Sequence, residues 1–467
     1  MRSNLTLNFG LRYEHFAPLT EKKNHLAMID TNAAKDAQYA SAFAVLDEVQ
    51  AGGSGTVRGQ YSDSLVHGDP LALSPRFGLA MRLPWRTVLR TGYGINFTQG
   101  QYASFAATMA RQPMVADSSF VNEQSQSTST PGAITLANGF SAASDTLGSF
   151  AVNPHYQLPY VQVWNLDLQK TLPGGWMLNA GYNGSRGARL DETIAPRASS
   201  SQPLTDSLSQ IFNYERNGAW SRFHAGTLRL NKRMSHGLAV GANYQYSHSI
   251  DNASSVGGSS SVVAQNWQDT DAEAGNSSFD QRHKVSGNYV IELPFGRDKS
   301  WITTGPAALL LEGLSLSGSF TFATGTPLTP RYQSAESSVA CGTAGSLRPN
   351  RDLSVSLTQG AGTRDRWFNT SAFSKPSATD SAYPCAIFGS AARNSIQAPG
   401  TVSNNLAMAK TLQLGGTRSV EIRATLNNAF NTAQYSGVDT NVDSATFGEV
   451  TSIATMRQFQ FTARMRF

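Results

Sequence analysis

The feature that most constrains this chain is a strict alternation of apolar and polar residues over unusually long segments. In residues 5–14, Leu5, Phe9 and Tyr13 alternate with polar or small side chains. A period of two residues predicts a β-strand with one apolar face. The pattern predicts twelve strands, at residues 5–14, 76–83, 87–97, 161–172, 176–183, 223–233, 237–249, 283–293, 313–323, 404–414, 419–428 and 458–467. Most match the roughly 9–11 residues that a tilted strand needs to cross a bilayer.

The connections between these strands alternate between short and long. The short ones are 84–86, 173–175, 234–236 and 415–418, and the long ones are 15–75, 98–160, 184–222, 250–282, 324–403 and 429–456. Only residues 294–312 are intermediate in length. Outer-membrane barrels have short periplasmic turns and longer extracellular loops. The order of lengths therefore favours an all-β, antiparallel transmembrane β-barrel of about 12 long strands.

Composition excludes several other classes of protein. Charged residues make up 15% of the chain and the net charge is +5, so the composition is not that of a disordered, highly charged chain. The longest apolar runs, such as Ala307–Leu311, contain five residues, whereas a transmembrane helix needs about 20. Basic residues form no patch, so no nucleic-acid partner is expected. No apolar signal-peptide core follows Met1, so either the protein stays inside the cell or this start lies downstream of the true one.

The two faces of the predicted strands differ in chemistry. The polar face carries Arg12, Arg229 and Arg464 among Asn, Gln and Gly, and the apolar face is rich in aromatics near strand ends, such as Trp176 and Tyr182. Aromatic girdles of this kind mark both interfaces of membrane barrels. Alternation alone does not distinguish lipid from a dry protein interior, so a soluble β protein remains an alternative.

Several stretches resemble the C-terminal portion of TonB-dependent outer-membrane transporters, in particular the Oar-like group. They are residues 279–285 (FDQRHKV), 289–296 (YVIELPFG), 366–369 (RWFN), 420–431 (VEIRATLNNAFN) and 459–467 (FQFTARMRF). These stretches occur in the order found in that family. The resemblance implies an integral protein of the outer membrane of a Gram-negative-type bacterium.

The resemblance also implies a role and a set of partners. The chain is expected to form barrel wall and extracellular substrate-binding loops, with outer-membrane lipid and lipopolysaccharide around it. The last strand, with Phe459, Phe461, Ala463, Met465 and Phe467 on one face, is similar to the signal read by the outer-membrane assembly machinery. The TonB system would act only through a plug, which we do not find in residues 1–467.

The extent of the chain is expected to correspond to one barrel domain, residues 1–467. It resembles the final half of a 22-stranded barrel, without the plug and the N-terminal regulatory-like domain of the family. Two other interpretations remain open, namely a self-contained 12-stranded outer-membrane pore or adhesin, and a secreted soluble β protein that binds glycans. The substrate is not identified by the sequence.

No enzyme is expected. The stretch closest to a nucleophile elbow, Gly313–Ser317, lacks the final glycine and lies in a predicted strand. Asp280 and His283 lie near Ser277, but we interpret them as a loop-to-strand junction held by hydrogen bonds. No cofactor motif and no phosphate-binding loop is present.

Acidic residues and cysteines give two further expectations. Asp269, Asp271 and Glu273 alternate, but the following positions do not fit a calcium-binding loop, so a solvated acidic loop is expected and no metal site. Cys341 and Cys385 both lie in the predicted extracellular loop 324–403. A disulfide between them is expected, because thiols are readily oxidised outside the cell.

Overall fold

The computed structural model describes residues 4–22, 26, 28, 64–98, 101–110, 149–194, 212–254, 264–265, 269–297, 299–332, 347–376, 388–415 and 418–467. Its main element is an antiparallel sheet in which strands that follow one another in the chain lie side by side. Twelve long strands form it: β1 Leu5–Glu14, β2 Ala72–Leu83, β3 Thr87–Phe97, β4 Tyr160–Thr171, β5 Trp176–Ile194, β6 Phe212–Ser235, β7 Leu238–Asp251, β8 His283–Glu292, β9 Leu314–Ala323, β10 Thr401–Gly415, β11 Arg418–Asn427 and β12 Gln458–Arg466. The twelve predicted strands and the all-β fold class are confirmed.

Shorter elements complete the fold. Two short strands, Ser149–Val152 and Gly275–Asn276, join the sheet by pairing with β6 and β7. Helix α1, Tyr102–Met109, lies in the connection between β3 and β4, and helix α2, Gly305–Leu311, lies between β8 and β9. Two-residue strands at Pro327–Leu328 and Ile396–Gln397 pair with each other, as do those at Asn350–Arg351 and Phe373–Ser374. Tyr435–Val438 pairs with Val450–Ile453.

None of the helices among the described residues is long and apolar enough to cross a membrane.

The predicted ends of β5 and β6 are wrong. The alternation predicted strands at 176–183 and 223–233, but β5 continues to Ile194 and β6 begins at Phe212. Much of the predicted loop 184–222 is therefore a long hairpin. Its outer part includes Glu192, Thr193 and Ile194, which are all buried. Because both faces of the hairpin contact protein there, the sequence loses the apolar–polar alternation that marks the rest of the strand.

The strand register gathers the apolar side chains on one face of the sheet, which we call the apolar face. Phe9 pairs with Phe77, Phe77 with Tyr93, and Tyr93 with Trp164, so one aromatic row crosses four strands. Phe9 is 76% exposed and Phe461 is 71% exposed, so these side chains do not meet in a dry interior. A continuous apolar face of this size, open to its surroundings, is what hydrocarbon contact requires and what water disfavours.

The first and last strands form the two edges of the sheet. Nearly every residue of β1 and of β12 is exposed on both faces. Within the described residues no ladder joins β1 to β12, so the barrel is not closed. Each edge presents a row of backbone N–H and C=O groups to its surroundings.

Candidate functional site

The strand ends opposite the short turns carry an assembly of loops that we call the loop layer. It comprises the described parts of residues 15–71, 98–159, 189–218, 252–282, 324–400 and 428–457. One hydrophobic cluster in this layer surrounds α1, where the ring of Phe105 meets that of Tyr156 edge-on at a centroid distance of 5.0 Å. A second cluster centres on Phe368, whose ring lies 5.2 Å from that of Phe447. The loops therefore have cores of their own outside the sheet.

A buried ion pair connects two of these loops. The Arg348 guanidinium donates through Nη1 to Glu273 Oε2 at 2.5 Å and through Nη2 to Glu273 Oε1 at 3.0 Å. Arg348 Nε donates to the Ala391 carbonyl at 2.7 Å, and the Gln265 backbone N–H donates to Glu273 Oε1 at 3.1 Å. The exposed fractions of the two charged side chains are 3% and 1%. This two-bond geometry is the arrangement in which a buried guanidinium and carboxylate satisfy each other.

A second buried ion pair lies beside the first. Arg393 Nη2 donates to Asp251 Oδ1 at 2.7 Å, and Arg393 Nε donates to the Glu273 carbonyl at 2.9 Å. Asp251 is the last residue of β7 and lies beyond the roughly 9–11 residues that a strand needs to cross a bilayer, so this pair joins the loop after β9 to the outer end of β7. Burial alone would raise the pKa of Asp251, but hydrogen bonds from Ser277 and Ser254 and the charge of Arg393 together lower it. Asp251 is therefore held in its charged form.

Buried carboxylates at the outer end of the β5–β6 hairpin extend this network. Arg216 Nε donates to Glu192 Oε2 at 2.9 Å, and Arg216 Nη2 donates to Thr270 Oγ1 at 2.9 Å. These residues lie beyond the 9–11 residues that a strand needs to cross the bilayer. Burial raises the pKa of Glu192 despite the nearby Arg216, and burial likewise raises the pKa of Glu215. The charged forms of these two groups are thus disfavoured in the folded protein.

The residues that superficially suggest a catalytic triad do not form one. Asp280 Oδ1 accepts from the Ser249 backbone N–H at 2.7 Å, and Asp280 Oδ2 accepts from Arg282 Nε at 2.8 Å. Ser277 Oγ lies 2.7 Å from Ser249 Oγ. His283 Nδ1 instead lies 3.0 Å from the Tyr244 hydroxyl. The predicted junction held by hydrogen bonds is confirmed.

The prediction of a solvated acidic loop is wrong for Glu273. The short 3-10 helix Asp271–Glu273 turns this side chain inward, where Arg348 neutralises it. The sequence carried no signal for this contact, because the two partners lie 75 residues apart. Within the parts of the chain that the structure describes, no group of three or more His, Cys, Asp or Glu side chains has the arrangement of a metal site.

The other predicted residues divide between described and undescribed parts of the chain. Cys341 and Cys385 lie outside the described residues, so their disulfide stays a prediction. In β12, Phe459, Phe461, Ala463 and Met465 lie opposite Leu426, Ala424, Ile422 and Val420 of β11 respectively, and belong to the apolar face. Phe467 follows the last strand residue and is exposed.

A row of paired aromatic and histidine side chains follows the outer rim of the apolar face. The Tyr182 hydroxyl lies 2.7 Å from His224 Nδ1, and the ring of His224 also lies 6.1 Å from that of Trp164. The Tyr244–His283 pair continues the row two strands further on. An aromatic row at this level agrees with the predicted girdle. The sequence analysis did not identify these histidines. A signal was present, because His248 follows Tyr244 and Tyr246 with a period of two residues, and His224 and His283 lie opposite His248 and Tyr246 on the neighbouring strands.

The polar face of the sheet has its own hydrogen bonds. Arg90 Nη1 donates to Gln169 Oε1 at 2.6 Å, and Arg229 Nε donates to Asn243 Oδ1 at 3.1 Å. These contacts join neighbouring strands and leave the arginines partly exposed. A polar face whose charged side chains are hydrogen-bonded to neighbouring strands is expected for the interior side of a membrane barrel.

A sheet of long antiparallel strands with an exposed apolar face, a polar second face and loops sorted by length defines an outer-membrane β-barrel protein. The family model for the outer membrane beta barrel domain matches residues 1–460. The chain therefore belongs to this family and is an integral outer-membrane protein.

Solved structures give similar matches at low sequence identity. The outer membrane transporter YddB from Escherichia coli is 10% identical, with a TM-score of 0.49 over 87% of this chain and 42% of that one. The siderophore receptor PiuA from Acinetobacter baumannii is 10% identical, with a TM-score of 0.41 over 84% and 35%. BauA, the ferric preacinetobactin receptor from Acinetobacter baumannii, is 8% identical, with a TM-score of 0.41 over 86% and 37%. The chain thus spans 35–42% of the length of these three proteins. No curated protein sequence matches the chain significantly.

Proposed function

We propose that the chain supplies the barrel wall and the extracellular substrate-binding loops of a TonB-dependent receptor of the Oar-like type. In this role residues 1–467 are one barrel domain that works together with a plug, and the plug makes the connection to TonB. The chain itself is then a non-enzymatic part of a transport machine. Its substrate is bound by the loop layer, and its apolar face anchors it in lipid.

The observation that carries the proposal is an ordered loop layer on top of an unclosed sheet. Two buried ion pairs, Glu273–Arg348 and Arg393–Asp251, fix loops that are far apart in sequence. Buried charges are costly unless they are fully paired, so such a layer is suited to hold a binding surface in one shape. The free edges of β1 and β12 favour a larger barrel over a self-contained pore, because a closed barrel leaves no unpaired edge. The residue stretches that resemble the Oar-like group point the same way.

Two measurements test the proposal, one on native outer membranes and one on the purified chain. An antibody against residues 347–376 should detect a heat-modifiable species in native outer membranes that is clearly larger than 50.1 kDa, the mass of this chain. The chain alone, reconstituted in planar bilayers, should form no stable conducting pore. A native species of the mass of this chain that conducts ions by itself would contradict the proposal and favour the self-contained pore.

A further inference from the structure

The connection between β8 and β9, residues 293–313, differs from the other connections at its end of the sheet. The described connections 84–86, 172–175 and 236–237 are tight turns, the first of which exposes Trp85, whereas this one contains helix α2 and four exposed large apolar side chains. Trp301, Ile302, Leu309 and Leu310 are 44–69% exposed. We call these four residues the apolar shelf. They lie on the side of the short turns, which is the periplasmic side in an outer-membrane barrel.

The first half of the apolar shelf is held in a defined shape. The Trp301 backbone N–H donates to the Pro294 carbonyl at 2.9 Å, and the Gly296 N–H lies 3.2 Å from the Trp301 carbonyl. The rings of Phe295 and Trp301 lie 6.0 Å apart. Ile302 has a φ of 48°, a left-handed conformation that a β-branched residue rarely adopts. A conformation of this kind persists only where the surrounding structure imposes it, and it often marks a functional contact.

The second half of the shelf is tied to the apolar face by Lys410. This lysine pairs with Leu314 and Ile422 across the sheet, so it lies in the same row as lipid-facing side chains. Its Nζ donates to the Leu309 carbonyl at 2.9 Å and to the Leu310 carbonyl at 2.5 Å. The last carbonyls of a helix carry partial negative charge and favour a nearby cation. These bonds bring the last turn of α2 to the outside of the sheet.

The shelf is continuous with the surface that contacts lipid. Leu412 and Leu414 extend the apolar face of β10 toward the short turn and are exposed like the shelf. Ala308 is buried and fixes the inner side of α2, so its neighbours Leu309 and Leu310 point away from the protein. Exposed apolar side chains in a short helix next to the lipid-facing surface have the pattern of an interfacial membrane segment.

We propose that the apolar shelf is an in-plane anchor that inserts into the phospholipid of the periplasmic leaflet of the outer membrane. Trp301 and Ile302 enter at the headgroup level, Leu309 and Leu310 reach the acyl chains, and Lys410 holds the second half against the barrel wall. Arg297 is exposed on the same connection, and Lys299 is half exposed beside Glu292, where phosphate groups would lie. The inference depends on the membrane location alone and does not depend on a TonB-linked function.

The test places the photoreactive residue p-benzoylphenylalanine at position 310 in the full-length protein in the outer membrane. Only protein with heat-modifiable migration is scored, so that uninserted chains do not contribute. Irradiation should give a phosphate-labelled adduct that phospholipase cleaves. The matched control is position 353, because Leu353 is 89% exposed but lies in the loop layer. We expect a several-fold greater phospholipid adduct at position 310. Equal yields at both positions, or mainly protein adducts at position 310, would overturn the proposal and indicate water or a periplasmic partner.

A second comparison examines the role of Lys410. Lys410→Met removes the donor to the last turn of α2, whereas Lys410→Arg keeps a donor and the charge. The phospholipid adduct at position 310 should fall in Lys410→Met and be retained in Lys410→Arg. An adduct that is undiminished in Lys410→Met would show that this lysine does not place the shelf, and would overturn that part of the inference.

Discussion

Replacing Glu273 with glutamine removes one charge from the ion pair that joins residues 264–282 to residues 347–397 while preserving side-chain size. The Arg348 guanidinium would then remain buried without a counter-charge, since its exposed fraction is 3%. Removing one partner of a buried pair costs about 3–5 kcal/mol. Each 1.4 kcal/mol is about a factor of ten in an equilibrium constant, so the open population of these loops should rise by about 100-fold or more.

The assay is cleavage of the loop layer by protease added to whole cells, under conditions where cleavage reports the open population. The control is Lys375→Met, which breaks an exposed ion pair with Asp443 in the same layer and should cost less than about 1 kcal/mol. Cleavage of Glu273→Gln at the rate of Lys375→Met would refute the reasoning. The double variant Glu273→Met with Arg348→Met should be cleaved more slowly than Glu273→Gln, because it leaves no unpaired buried charge.

Three further outcomes are expected. Burial raises the pKa of Glu192, whereas hydrogen bonds and the charge of Arg393 lower the pKa of Asp251 despite its burial. The cost of ionised Glu192 is therefore relieved as the pH falls toward its unfolded pKa of about 4.3, and the contribution of Asp251 is lost only below its unfolded pKa of about 3.9. Protection of the loop layer from proteases active at each pH should therefore rise and then fall on acidification, and a steady loss from pH 7 downward would contradict this. Phe467→Ser should lower the yield of heat-modifiable protein in the outer membrane, if the end of β12 is read during assembly, and an unchanged yield would count against that role. Thiol labelling before and after reduction tests Cys341 and Cys385, which should label only after reduction.

The sequence alone determined the strands, their number and the two faces of the sheet. Residues 237–249 illustrate this, since the predicted strand and the observed β7, Leu238–Asp251, nearly coincide. Alternation can be read locally, because successive side chains of a strand point to opposite faces of the sheet. One face contacts lipid and the other contacts polar groups, so apolar and polar residues follow one another along the chain. The order of short and long connections likewise follows from the chain alone and sets the two ends of the sheet.

Only the tertiary structure decided how the loops are held and how far strands β5 and β6 extend. Glu273 reads as one member of an acidic loop, yet it is buried against an arginine 75 residues away. The outer half of the β5–β6 hairpin shows no alternation in the sequence, yet its two strands pair. Lys410 is a polar residue in a lipid-facing row of the sequence, and only the structure shows that it binds the end of α2. These contacts join residues that are distant in the chain, and their energy comes from desolvation and pairing that exist only once the chain has folded.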